Sequence, residues 1–270
     1  MTTVGHSDAI RAALSRHDGG NEIVEHADAL TRFLNSSACS PAPMLPLDER
    51  TIILDLSRGS EDLGEPLTGL TVEQMSHLIE QRMDDVGTRF AFGRWGERRE
   101  LYVSDLFVVN AALPMRDVHL GVDVFCASGS LIHAPLAGHV HVCANNARDL
   151  DYGPLIILRH DTPCGSPFFS LYGHLELSSV SRWEVGQPVA AGTPLAAVGA
   201  PPENGNWPPH LHFQLILNLL GEGRDFPGVA LYEERAAWLA LSPLPTRFFP
   251  ETYAHGLDGS DRGASPDEKR

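Results

Sequence analysis

The segment "PPHLHFQL" at residues 208–215 places two histidines one residue apart in an otherwise apolar stretch. Alternate residues of a β-strand face the same side, so His210 and His212 share one face. Leu211 and Phe213 face the other. The two histidines are about 6.6 Å apart along the strand, which is twice the rise per residue. Two imidazoles at this spacing can serve one metal centre, or they can form a polar strand face that only makes hydrogen bonds.

Spacing alone does not identify a metal site, because "GHVHV" at residues 138–142 is a second pair of the same kind. Candidates for a third ligand lie in "VHLGVDVF", where His119 and Asp123 are four residues apart. In a straight strand they would be about 13 Å apart, too far to share a metal. They can converge only if the chain bends, and Gly121 permits a bend. Otherwise they are a loop histidine and a strand aspartate that never meet.

A further candidate is His174, in the segment "SLYGHLEL" at residues 170–177. Apolar and polar residues alternate there, which predicts a half-buried strand with His174, Tyr172 and Glu176 on its polar face. Taken alone, a histidine in this position is more often hydrogen-bonded or exposed to solvent than catalytic. His174 therefore needs supporting evidence from the rest of the chain.

The sequence from about residue 89 predicts a mostly β fold. Short β-branched or aromatic runs, among them "RFAFGRW", "GVDVF", "PLIILRH" and "HLHFQLIL", are separated by Gly, Pro and Asn. Antiparallel pairing is favoured because no segment of helical length lies between the runs. With the segments that precede it, the chain as a whole is predicted to be α+β.

The flanking segments differ from this β region. Residues 1–47 are predicted to form a helical segment that ends in a Pro-rich linker, and residues 48–112 an α+β extension of unknown role. Within the extension, "TVEQMSHLIEQRMDDVG" predicts one helix, bounded by its threonine and its last glycine. Residues 221–250 are predicted to contain a helix. The polar residues 251–270 are predicted to form a disordered tail.

Composition limits the classes of partner. The chain has 20 Lys and Arg residues against 35 Asp and Glu residues, a formal net charge of −15, so nucleic acid is not an expected partner. No segment is long and apolar enough to span a bilayer. No signal peptide is visible, which predicts a cytoplasmic location, or a periplasmic or extracellular one if another export route is used. Nothing in the sequence specifies an oligomeric state.

In their order along the chain, these motifs resemble the M23 family of zinc metallopeptidases, the lysostaphin- and LytM-like peptidoglycan endopeptidases. The similarity covers roughly residues 113–218 and is carried by H-x-G-x-D at 119–123, "LYGHL" at 171–175, "VGQPVAAGTPLAAVG" at 185–199 and "HLHF" at 210–213. It implies a metallopeptidase domain at residues 113–220 with an antiparallel β-sheet core of the lysostaphin-like type. The "GHVHV" pair falls on a strand of the family that carries no ligands.

The resemblance also implies a set of site residues. The three implied zinc ligands are His119, Asp123 and His212. The two implied catalytic residues are His210, which acts on the water activated by the metal, and His174, which stabilises the developing oxyanion. The implied activity is zinc-dependent endopeptidase cleavage of peptidoglycan stem or bridge peptides. Two alternatives remain: a non-catalytic regulatory or binding module on this fold, or a cytoplasmic zinc hydrolase of small amides or esters.

Two features depart from the family pattern. Gln214 stands where the family often has Glu, and Pro208 stands where Gly is common; both are expected to affect substrate fit and not metal binding. In addition, the metallopeptidase segment follows about 110 residues of unknown role. A coordinating side chain from that front segment could occupy the open metal position, which leads to the hypothesis that the front segment is inhibitory.

Overall fold

The computed structural model describes residues 29–47, 49–101, 115–163, 165–221, 223–254 and 256–260. The strands in this part of the chain are β1 (Ile52–Ile53), β2 (Ala91–Gly93), β3 (Val118–His119), β4 (Val122–Phe125), β5 (Leu131–His133), β6 (Gly138–Asn146), β7 (Gly153–His160), β8 (Phe168–Gly173), β9 (Pro188–Val189), β10 (Pro194–Ala197), β11 (His210–Ile216) and β12 (Val229–Ala230). The α-helices are α1 (Val72–Val86), α2 (Leu177–Val180), α3 (Arg235–Leu241) and α4 (Glu251–Ala254), preceded by a short helical segment at 29–34.

Eight strands form one sheet, in the order β1-β2-β4-β11-β8-β7-β6-β9. Strands β1 and β2 pair in parallel, and every other neighbouring pair in this sheet is antiparallel. Two small sheets, β10 with β5 and β12 with β3, flank it. The predicted fold class, a mostly β protein with an antiparallel core and an α+β extension, is confirmed.

Strand β11 lies at the centre of the sheet, between β4 and β8. Its apolar residues Leu211, Phe213 and Leu215 belong to the main hydrophobic core. The alternate residues face the opposite side, and His212 is directly paired with Asp123 of β4. A central strand is held on both edges, so this pairing fixes the side chains of the polar face in place.

The extension packs against the predicted metallopeptidase domain (residues 113–220) and shares its main sheet. Helix α1 buries Met75, Ile79 and Met83 in a second apolar cluster, which also contains Phe125 of β4. Strand β2 pairs with β4, with Gly93 opposite Asp123. The extension therefore adds two strands and a helix to the edge of the sheet that carries the candidate site. The predicted domain boundary at 112/113 falls within residues 102–114, outside the described residues.

The C-terminal segment contains the predicted helix within 221–250, as α3. The prediction of a disordered tail is wrong for its first part, because α4 forms there and Leu257 is fully buried in the main core. The backbone also pairs with the extension, since Gly259 N–H donates to the Trp95 carbonyl. The apolar contacts of Leu257 and this backbone pairing order the start of the tail despite its polar composition. Residues 1–28 of the predicted N-terminal helical segment and 261–270 of the tail lie outside the described residues.

No helix among the described residues combines the length and apolar character that crossing a membrane requires.

Candidate metal centre

The three predicted ligands converge on one point. The distance from His119 Nε2 to Asp123 Oδ1 is 3.2 Å, from His212 Nδ1 to Asp123 Oδ1 3.2 Å, and from His119 Nε2 to His212 Nδ1 3.0 Å. All three residues are buried. They form the one group of three metal-ligating side chains found among the described residues.

The predicted bend between His119 and Asp123 is present. Strand β3 ends at His119 and pairs with β12, whereas Asp123 lies in β4 of the main sheet. The turn between them requires glycine for a second reason, since a Cβ at Gly121 would lie 2.7 Å from Nε2 of His212 and 2.8 Å from the Phe213 carbonyl oxygen. Gly121 therefore provides both the bend and the space for a ligand ring.

In each of the two histidine ligands, one ring nitrogen points away from the centre and makes a hydrogen bond. This bond determines which ring nitrogen carries the hydrogen. His119 Nδ1 lies 2.8 Å from the Arg94 carbonyl oxygen, and His212 Nε2 lies 3.0 Å from Gln214 Oε1. Both partners are acceptors, so these ring nitrogens carry the hydrogens. The nitrogens that face each other, His119 Nε2 and His212 Nδ1, are then lone-pair acceptors in the neutral rings.

This arrangement fits a bound cation. Two lone pairs and one carboxylate oxygen lie 3.0 to 3.2 Å apart with no hydrogen between them, so they repel one another unless a positive charge lies among them. Neighbouring ligands of a tetrahedral zinc ion are about 3.3 Å apart, given bond lengths of 2.0–2.1 Å. Two imidazoles and one carboxylate are also a ligand set typical of catalytic zinc, which retains an open position.

Gln214 belongs to this centre, which corrects the expectation that it affects substrate fit only. Its side chain is fully buried, and its Nε2 donates to the Pro227 carbonyl at 3.1 Å and to Ser242 Oγ at 2.8 Å. These two contacts orient the amide so that Oε1 must face His212. The amide therefore fixes the ring nitrogen that His212 presents to the other ligands.

The two predicted catalytic histidines lie beside the ligands. His210 Nε2 is 3.6 Å from Asp123 Oδ1, and its Nδ1 donates to the Pro208 carbonyl at 2.6 Å. His174, at the end of β8, has a positive φ of 62° and donates from Nδ1 to the Asn204 carbonyl at 2.8 Å. The two ring centroids are 4.3 Å apart. Both neutral rings thus leave Nε2 free to accept a proton.

Burial determines the electrostatics of the site. Desolvation, followed by the neighbouring imidazole of His210, holds the pKa of His174 well below its usual range. Desolvation also lowers the pKa of His210. Desolvation and the charge of Arg99 together lower the pKa of His119 to about 4. Burial alone would raise the pKa of Asp123, but His119 and Arg99 hold it well below its usual value. The Asp123 carboxylate is therefore ionised, and the imidazoles of His119, His174 and His210 are neutral, near pH 7.

A cleft opens over these residues. Its walls include Met75 and Leu101 of the extension, Tyr152 and Trp207 of the predicted metallopeptidase domain, and Phe226. Apolar and aromatic walls with a few convergent polar groups are typical of ligand-binding clefts.

The second histidine pair lies elsewhere. His139 and His141 are on β6, four strands from β4 in the sheet order, and the His141 ring packs against Phe169 with the centroids 5.1 Å apart. The prediction that this pair contributes no ligand is consistent with the geometry. In contrast, Arg99 was not among the residues predicted from the sequence, although its Nη1 donates to Asp123 Oδ2 at 2.7 Å. No motif marks it, because it reaches the site only through the pairing of β2 with β4.

Comparison with known proteins identifies a matching family model. Residues 117–221 match the model of peptidase family M23, so the resemblance predicted from the sequence is confirmed for this part of the chain. No match was found among curated proteins.

Solved structures similar to this chain include two peptidases and one M23 protein. A zinc-containing peptidase from Vibrio cholerae is 23% identical with a TM-score of 0.31, over 45% of this chain and 35% of that one. The catalytic domain of lysostaphin from Staphylococcus simulans is 24% identical with a TM-score of 0.31, over 44% and 80%. A mutant catalytic domain of the prophage-encoded M23 protein EnpA from Enterococcus faecalis is 22% identical with a TM-score of 0.31, over 47% and 92%. This chain thus spans about a third of the length of the Vibrio cholerae peptidase.

Proposed function

We propose that this protein is a zinc-dependent metalloendopeptidase that hydrolyses peptide bonds in peptidoglycan stem or bridge peptides. The observation that carries the proposal is the convergence of His119, Asp123 and His212 on one point, with His174 and His210 beside it. A non-catalytic module on this fold has no need of three ligand atoms whose repulsion only a cation relieves. The match to the M23 peptidase model supports a peptidase in particular.

Zinc, when bound, lowers the pKa of a coordinated water toward neutrality and polarises a carbonyl group. His119 and His212 would bind it through Nε2 and Nδ1, and Asp123 through Oδ1. These are the atoms that the opposing hydrogen bonds leave facing the centre. The ligands are held before the metal arrives, so binding requires little rearrangement.

His210 would act as the base. Its Nδ1 hydrogen is donated to the Pro208 carbonyl, so its Nε2 lone pair faces the ligands and can accept the proton that the attacking water loses. The same nitrogen can then return that proton to the departing amine. The lowered pKa of His210 keeps the ring neutral near pH 7, so its Nε2 is available to accept a proton.

His174 would stabilise the oxyanion of the tetrahedral intermediate. Its Nδ1 is committed to the Asn204 carbonyl, so donation from Nε2 requires that this ring carry a second proton. Desolvation and the nearby His210 disfavour that charged form. We therefore expect His174 to take up its second proton from solvent only as the oxyanion forms, because the negative charge of the oxyanion then offsets the repulsion between two imidazolium rings 4.3 Å apart.

The test is cleavage of purified muropeptides and glycine-rich peptides by zinc-loaded protein, with products identified by mass spectrometry. We expect cleavage by the wild type, and a reduction in kcat/KM of about 10²- to 10⁴-fold in His210→Ala and in His174→Ala. His141→Ala, which alters the histidine pair on β6, should retain wild-type activity. Intact peptides with the zinc-loaded wild type would contradict the proposal. Turnover of small amides or esters alone would place the chain among small-substrate hydrolases.

A further inference from the structure

Arg99 contacts a predicted metal ligand from outside the region that matches the family. Its Nη1 donates to Asp123 Oδ2 at 2.7 Å, and each side chain is 3% exposed. The other carboxylate oxygen, Oδ1, is the one that faces His119 and His212. The guanidinium thus occupies one oxygen of Asp123 and leaves the other for the metal position.

Arg99 is itself held in place. Its Nε donates to Glu97 Oε2 at 2.9 Å, and Glu97 is fully buried. The other oxygen of Glu97 accepts from the Leu56 amide at 3.1 Å and lies 3.4 Å from Arg94 Nη1. A planar guanidinium fixed between two carboxylates has little freedom to rotate, so it restrains Asp123 in turn.

The same segment holds a second ligand. The Arg94 carbonyl accepts from His119 Nδ1 at 2.8 Å and from Arg99 Nη2 at 3.3 Å. On the backbone, the His119 amide donates to the Glu97 carbonyl at 3.0 Å, and the Gly96 amide donates to the His119 carbonyl at 2.8 Å. The backbone of Arg94, Gly96 and Glu97 therefore positions His119, and the side chain of Arg99 positions Asp123.

The strand before this segment leaves room for the ion pair. Gly93 of β2 lies opposite Asp123, and a Cβ there would be 2.7 Å from Arg99 Nη2 and 3.2 Å from Asp123 Oδ2. Any larger residue at this position would displace one member of the pair.

We propose that Arg99 is a positioning residue for the metal centre, and that the extension which carries it is part of that centre. Arg99 keeps the Asp123 carboxylate oriented with Oδ1 toward the two imidazoles, and Glu97 balances the charge of the guanidinium. This inference rests on the proposed zinc site. It assigns to Arg94, Gly96, Glu97 and Arg99 a supporting role at the proposed ligands, which is distinct from the inhibitory role suggested by the position of the extension in the chain.

The test is the zinc affinity of the full chain, measured by competition with a chelator of known affinity. The double variant Arg99→Met, Glu97→Gln removes one positive and one negative charge together, so the net charge of this buried cluster does not change. We expect it to bind zinc about 10- to 100-fold more weakly than the wild type, the range typical when an outer partner of a ligand is lost. Arg99→Lys keeps the charge but not the planar fork, and should recover part of the affinity.

Arg98→Met is the matched control, because Arg98 makes a similar ion pair from the same segment, but to Asp117, at 2.6 Å. We expect it to bind zinc within about twofold of the wild type. Circular dichroism of each metal-free protein monitors folding, and if the double variant is unfolded, Arg99→Lys alone decides the comparison. Wild-type zinc affinity in every folded Arg99 variant would overturn this inference while leaving the proposed function intact. Absence of zinc from the wild type would overturn both.

Discussion

The direction of each hydrogen bond determines what each histidine of the site can do. The rings of His119, His174, His210 and His212 all donate from one nitrogen to a carbonyl or amide oxygen. Each ring therefore turns a lone pair toward the centre or the cleft. Histidine therefore has two proposed roles here. The rings of His119 and His212 bind the metal, and those of His210 and His174 accept or donate protons.

Gly121→Ala tests how closely the ligand ring packs against the bend. The added Cβ would lie 2.7 Å from His212 Nε2 and 2.8 Å from the Phe213 carbonyl oxygen, so either the ring or the central strand must move. We expect the free energy of unfolding to fall by about 1–3 kcal/mol, the usual cost of overpacking, and zinc binding to weaken. Chemical denaturation and a zinc titration measure the two effects.

Gly223→Ala is the matched control for that substitution. No atom lies within 4 Å of a Cβ at Gly223, which is exposed and has no positive φ. We expect its stability to remain within about 0.5 kcal/mol of the wild type. Equal stability and equal zinc binding in Gly121→Ala and Gly223→Ala would show that the ring does not pack against the bend as described.

At the scale of residues, the sequence predicts those site residues whose spacing or family pattern is distinctive. Gly121 could be singled out because His119 and Asp123 converge only if the chain bends there. The partners Arg99 and Gln214 could not be assigned, because their roles depend on pairing between distant strands. Arg99 reaches Asp123 across 24 positions, and Gln214 is oriented by Ser242 across 28.

At the scale of elements, local chemistry made helix α1 predictable to its ends. Thr71 and Gln74 form a capping box. Thr71 Oγ1 accepts from the backbone N–H of Gln74, and Gln74 Oε1 accepts from the backbone N–H of Thr71. Gly87 ends the helix with a φ of 66°. Strand β1 covers only Ile52–Ile53 of a longer apolar run, because its length is set by pairing with the short β2, which local sequence does not reveal.

His160 joins β7 to its neighbours through a buried, neutral imidazole. Its Nδ1 donates to the Ala137 carbonyl at 2.8 Å, and Nε2 lies 2.7 Å from Ser170 Oγ on β8. Burial lowers the pKa of His160 from its ordinary 6.5 to about 4. Between those two values the unfolded chain takes up a proton that the folded protein does not, so stability falls as the pH falls.

The substitution His160→Gln removes this titration. We expect the wild type to lose about 2 kcal/mol more than His160→Gln when the pH falls from 7 to 5, since the loss from this group is spread between about pH 6.5 and 4. Urea unfolding at several pH values, in metal-free buffer, measures the difference. His77→Gln, on the exposed face of α1, should retain the wild-type dependence. Parallel curves for the wild type and His160→Gln would contradict the account of this histidine.

At the scale of the whole molecule, the centre is assembled from three parts of the chain. The segment 94–99 contacts the proposed ligands, residues 117–221 contain them, and the C-terminal segment orients Gln214 through Pro227 and Ser242. Sequence resemblance identified only the middle part. The two flanking parts contact it through backbone pairing and buried polar groups, neither of which has a local signature in the sequence.

The central claim is that His119, Asp123 and His212 bind one zinc ion. Its most direct test is the zinc content per chain, measured by elemental mass spectrometry on protein purified without chelators, for the wild type, His212→Ala and His141→Ala. We expect about one zinc in the wild type and in His141→Ala, and little in His212→Ala, since two ligands rarely retain a structural or catalytic zinc ion. No zinc in the wild type under any loading condition, or equal zinc in all three proteins, would contradict the account.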